Sequence, residues 1–165
     1  MKPVLFKLIL FLIISIFLIS CSNEEDDAIY SESVIESKIN YSPIETEILI
    51  LINDYRANKG LQYLKTLNLI STVAETHSNY MIKMGKASHD NFPERQKKLV
   101  NYAKAKTVGE NVAFGHSAAK SVFNAWLNSE SHKKIIENSE YTHFGISTKT
   151  DNLGRNYFTQ IFIKK

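Results

Sequence analysis

The chain carries one cysteine, Cys21, in 165 residues. No disulfide can close within it, so the folded part must hold together through its core. A cysteine nucleophile and a cysteine metal cluster are excluded with it. The sequence also lacks H-E-x-x-H and G-x-S-x-G. These are the local signatures of a helix-borne zinc peptidase and of a serine nucleophile elbow. Charge of one sign is scarce too. Twenty Lys and Arg face 17 Asp and Glu, a net charge of +3. Lys2 and Lys7 sit in the N-terminal leader, so 3 − 2 leaves +1 on the remainder. There is no concentrated basic face and no nucleic-acid motif, and no nucleic-acid partner is read from this balance. No internal repeat occurs.

What is present is an ordinary globular composition, 44% apolar and 22% charged. One domain's worth of chain remains once the leader is subtracted. Two lysines precede the apolar run "LILFLIISIFLIS" from Leu8 to Ser20, the order of a secretory signal. The run falls short of the ~20 residues that comfortably span a bilayer. It ends in "LISC", Leu18 to Cys21, which resembles a bacterial lipoprotein signal. That resemblance implies cleavage of residues 1–20, acylation of Cys21 and a membrane partner held through its acyl chains. The expected localisation is export and anchorage at the outer membrane or cell surface. Residues 21–42 open with "SNEEDD" and read as a solvated acidic tether. An acidic run directly after the lipid cysteine also resembles a surface-export signal.

The globular part is expected over 43–165. Ile44, Ile48, Leu51, Ile52 and Tyr55 follow the spacing of a helix buried on one face. Pro43 suits its first turn and Gly60 its stop. A second helix is predicted from Leu67 to Met84, closed by Gly85. A weaker one begins at Pro93. "TVGENVAF" alternates like a strand. "SAAKSVFNAWLN" returns to helix, with Ser117 as a plausible N-cap and Trp126 in the core. "HFGIST" and "RNYFTQIFI" read as two strands joined by the turn "TDNLGR". The economical arrangement is α+β, antiparallel strands with helices on the faces.

Several polar residues do not fit a bland core. Glu110 shares a strand face with Val108, Val112 and Phe114, where an unpaired carboxylate is costly; it must find a partner or a proton. Gly109 beside it allows a close approach. Asn111 points to the opposite face. His77 lies on the apolar stripe of the second helix and reads as a hydrogen-bonded core residue. His89 falls in the loop after Gly85, a usual place for functional groups. His116 reads as exposed, and His143 at a strand start as either surface or site. His89, Glu110 and His132 offer a zinc-type donor set, although their spacing is long and irregular. Ser129 and His132 can share a helix face, but Ser129 reads more simply as a helix-start residue.

Five pieces in order make the chain similar to the bacterial branch of the CAP superfamily, or SCP domain. "INDYRANKGLQYLKTLNLISTVAETHSNYMIKMG" resembles that family's opening helices. "ASHD" resembles its first site histidine, and "VGENVAF" its Gly-Glu-Asn signature. "WLNSESHKKII" resembles the bacterial Trp-x-x-Ser-x-x-His segment and "YFTQIF" the closing strand. The match runs from Ile44 to Ile163. It implies a CAP-type αβα sandwich with a three-stranded antiparallel sheet. It also implies a cleft of two histidines and two glutamates that holds a divalent metal such as zinc in some members. His89 matches the first histidine and Glu110 the glutamate. Ser129 stands where many eukaryotic relatives keep the second glutamate, and Tyr157 where they keep the second histidine. The bacterial pattern offers His132 instead. The implied metal set is therefore His89, His132 and Glu110, with Asn111, Ser129 and Tyr157 lining the cleft.

Three functions fit these readings. One is an envelope binding module whose cleft takes a metal, a lipid or a peptide. Another is a metal-dependent hydrolase, peptidase-like, with Glu110 as candidate catalytic base. The last is a structural or adhesion domain with a vestigial cleft.

Overall fold

The computed structural model describes residues 39–165. The leader 1–20, Cys21 and all but the end of the tether lie outside the described residues. Nine elements follow in the order α1 (Pro43–Asn58), β1 (Lys65–Thr66), α2 (Asn68–Met84), α3 (Phe92–Ala103), β2 (Thr107–Phe114), α4 (Ala119–Asn128), α5 (Glu130–Ile136), β3 (His143–Thr150) and β4 (Asn156–Lys164).

Helix α1 starts where the sequence places it, and a capping box explains why. Ser42 Oγ accepts from Glu45 N at 3.4 Å, while Glu45 Oε2 accepts from Ser42 N at 2.8 Å. Its buried face turns toward Leu49 and Arg56 as well as Ile48 and Ile52. Arg56 is fully buried without a carboxylate; it donates to the carbonyls of Ile136 (2.6 Å), Asn138 (2.9 Å) and Gln62 (3.1 Å). Helix α2 ends at Gly85 in the left-handed conformation, φ 68°, as its stop residue requires. Helix α4 begins one residue later than a Ser117 cap implies. Ala118 holds the cap position, with no side-chain bond.

The sheet runs β1-β3-β4-β2. Its three long strands are antiparallel, and the fourth, β1, pairs in parallel with His143 and Phe144 of β3. The fold is the expected αβα sandwich, with one strand more than the expected three. Two exposed residues of β1 carry no alternation for a sequence reading to find. On one face α1, α4 and α5 bury Ile48, Ile52, Val122, Trp126 and Ile136 against Phe144, Phe158 and Phe162. On the other, α2 and α3 bury Leu69, Ile70, Val73 and Leu99 against Ile161 and Ile163.

The register fixes which backbone groups point out of the sheet. Asn111 pairs with Gln160, and Gly115 N donates to Asn156 O at 2.8 Å. In an antiparallel ladder the bonded positions alternate. Thr107, Gly109, Asn111 and Ala113 therefore turn their N–H and C=O groups toward β4. Val108, Glu110, Val112 and Phe114 turn theirs to the open edge. Trp126 Nε1 donating to Val112 O at 3.1 Å agrees with that parity.

Candidate functional site

Glu110 is buried, as its strand face predicts, and it has found its partner. Arg95 of α3 grips it with two bonds, Nε to Oε2 and Nη2 to Oε1, each 2.7 Å. Bidentate guanidinium–carboxylate pairing of this kind is strong and directional. His89 approaches the same carboxylate, Nδ1 to Oε1 at 2.8 Å. An ionised carboxylate only accepts, so His89 donates through Nδ1 and leaves Nε2 for a ligand. Burial alone would raise the Glu110 pKa. The hydrogen bonds from His89 and Arg95, with the Arg95 charge, outweigh it and hold the carboxyl below the ordinary glutamate value.

Arg95 is not legible in the sequence as that partner, yet a signal exists. Arg95, Leu99 and Ala103 are the buried residues of α3, at i, i+4 and i+8. Arg95 is thus a cation placed on an apolar stripe, which demands a buried counter-charge.

The loop carrying His89 is pinned on several sides. His77 is buried on α2, and its Nε2 bonds Ser88 O at 2.7 Å. Its core reading holds, and burial lowers its pKa. Tyr80 Oη donates to Asp90 Oδ2 at 3.1 Å, and Arg95 Nη1 to Asp90 O at 2.7 Å. About half of the His89 side chain remains exposed. It stands at a groove of about 360 Å³ lined by Phe92, Val108, Gly109, Glu110, Ile135 and Tyr141. Gly109 permits the closeness foreseen for it. A Cβ there would meet Tyr141 Cζ at 3.0 Å and Ile135 Cγ2 at 3.1 Å.

The remaining site residues lie apart from that groove's lining. His132, on α5, is half-buried; its backbone carbonyl accepts from Asn111 Nδ2 at 3.2 Å. Burial, and then the charge of His89, lowers the His132 pKa. Asn111 is fully buried on the α5 face, and Tyr157 is fully buried beside Met81 and Val112. Ser129 holds the N-cap position of α5, but its Oγ meets Ser131 Oγ at 3.1 Å rather than capping the helix. His116 is half-buried against Ser121 Oγ at 2.8 Å, less exposed than the sequence implies. His143 is half-buried, its Nδ1 2.9 Å from Thr142 Oγ1.

This arrangement does not suit a metal shared by His89, His132 and Glu110. Both Glu110 oxygens are taken by Arg95, whose charge already neutralises the carboxylate. Among the described residues, no three His, Cys, Asp or Glu side chains converge as metal ligands.

The paired Glu110 gives the site an acid-labile element. Its folded pKa is depressed, so the stabilisation is complete above the ordinary glutamate value of 4.5 and is lost as pH falls through the folded value. Urea titrations from neutral pH to about pH 3 should show wild-type stability falling more steeply than that of Glu110→Gln. Parallel curves would contradict the paired, ionised carboxylate.

With the geometry in hand, similarity to known proteins decides the family. The model of the cysteine-rich secretory protein family, CAP, matches residues 49–162. The chain belongs to the CAP family. A Bacillus subtilis membrane protein, YlbC, is 33% identical to this CAP protein over 127 residues, 73% of this chain and 34% of the relative. YkwD of the same organism is 31% identical over 130 residues, 75% of this chain and 48% of the relative. The chain thus spans about a third to a half of the length of these relatives. Among solved structures, an extracellular SCP-domain protein of Bacillus anthracis superposes with a TM-score of 0.65 at 27% identity, over 78% of this chain and 45% of the other. An outer surface protein of Borrelia burgdorferi shares the fold of this CAP domain, with a TM-score of 0.69 at 22% identity over 78% and 98% of the two chains.

Proposed function

We propose that this CAP protein is an exported, lipid-anchored binding module of the bacterial envelope. Its groove beside His89 and Glu110 takes a lipid or a peptide without turning it over. The observation that carries this reading is the saturation of Glu110. A carboxylate held ionised by Arg95 and His89 is neither a free metal ligand nor a ready base. What remains accessible is recognition chemistry: His89 Nε2 at one end, and apolar walls from Phe92, Val108, Ile135 and Tyr141. Export is supported by the leader 1–20 and by the names of the relatives, one a membrane protein and one extracellular. No helix among the described residues is long and apolar enough to cross a membrane. In this reading acylated Cys21 supplies the anchor.

The test incubates the full-length protein with mixed peptides and phospholipids and identifies retained and released species by mass spectrometry. Intact ligand should be retained, and His89→Ala should weaken retention about tenfold, the loss of one good polar contact. Sustained turnover abolished by His89→Ala would overturn the binding reading in favour of a hydrolase. In cells expressing the protein, Cys21→Ala should release it from the membrane fraction; unchanged acyl labelling would refute the anchor.

A further inference from the structure

A sheet edge is a row of unsatisfied donors and acceptors, and this fold caps several of them with side chains. On β3, the edge amide of Ile146 donates to Ser71 Oγ at 3.1 Å. The next edge amide, Thr148, donates to Glu45 Oε1 at 2.5 Å. On β2, Val112 O receives Trp126 Nε1. Val108 and Glu110 differ, as does Phe114 beyond the groove. Their N–H and C=O groups point to the same open edge by the register, and among the described residues no such cap is found on them. Val108 and Glu110 line the 360 Å³ groove, with Gly109 between them.

We propose that the groove binds an extended peptide by strand addition to the β2 edge at Val108–Glu110. This rests on the binding reading above and names its ligand class. The polar demand of the edge favours a peptide over a lipid, because an acyl chain leaves four main-chain groups unbonded. An added strand alternates its side chains between the two faces of the sheet. One set meets His89 and Phe92; the other meets Ile135 and Tyr141. Trp126 already holds Val112 O, so pairing stops there. The free stretch spans about 7 Å at 3.3 Å per residue and suits a segment of about three to five residues.

The probe is a pool of acetylated, amidated hexapeptides that alternate valine or leucine with serine or lysine, tested on the full chain. Val108→Pro removes one outward N–H and no ladder bond, a substitution that an edge strand tolerates. Retention should fall about tenfold in Val108→Pro, well beyond the loss in Val108→Ala, which trims the groove wall but keeps the outward N–H. Peptides N-methylated at alternate amides should be lost in parallel, which tests the bond even where the proline variant folds poorly. Amide exchange at Val108 and Glu110 should slow on binding, while Gly109 and Asn111, already bonded to β4, stay unchanged. Peptides retained equally by Val108→Pro and in N-methylated form would overturn strand addition and leave the binding groove intact. Retention of lipid alone would overturn the peptide class. Retention of neither would sink the binding reading itself.

Discussion

Arg95→Ala is expected to destabilise the domain by about 3–5 kcal/mol, the usual cost of stranding one member of a buried ion pair. Both partners are almost fully buried, so solvent cannot take over for the lost guanidinium. The stranded carboxylate then has two outcomes, desolvated charge or protonation; protonation weakens the bond from His89. Arg95 also donates to Asp90 O, so the His89 loop loosens at the same time. A double replacement, Arg95→Met with Glu110→Leu, should recover most of the loss because no charge is left unpaired. Urea unfolding of the wild type, both single variants and the double variant measures this directly. A cost under about 1 kcal/mol for Arg95→Ala would mean the pair behaves as a surface salt bridge. Zinc added to the wild type should leave the unfolding midpoint in place, since Arg95 occupies the carboxylate a metal would need.

Gly145→Ala is the second large effect, and it acts through packing alone. A Cβ at Gly145 would lie 2.6 Å from Ser71 Oγ, 2.7 Å from the Ser71 backbone nitrogen and 2.9 Å from Ile70 Cβ. Two of those atoms belong to the frame of α2 and cannot swing aside. The helix must lift from β3, which strains the Ser71–Ile146 bond and the buried contacts of Ile70 and Val73. Overpacking of this kind costs about 1–3 kcal/mol, and the backbone contact places Gly145→Ala near the upper end. Thermal unfolding checks it. A variant as stable as the wild type would show that α2 and β3 are less closely seated than these distances require.

Much of this fold is legible in the sequence because its helices carry strong one-sided stripes and its long strands alternate. Gly60, Gly85 and the "TDNLGR" turn mark their boundaries through backbone freedom. β1 escapes because a two-residue strand has no period and is defined only by its pairing with β3. The α4 start is displaced because a serine near a helix end does not guarantee a cap bond. The site is legible in half. His89 and Glu110 meet, since a loop histidine and a buried carboxylate each need the other. Arg95 does not announce itself, because its role depends on where α3 lies across β2. Asn111, Ser129 and Tyr157 do not line its groove. The sandwich puts two of them inside the layers and the third at a helix junction.

Glu45 has a mechanical consequence. One carboxylate takes the amide of Ser42 at the entry of the domain and the amide of Thr148 in the sheet. The point where the chain enters the domain is therefore tied directly to the end of β3. That tie lies on the side of the sheet opposite β2. The strand that borders the groove lies at the far side of the sheet from that entry.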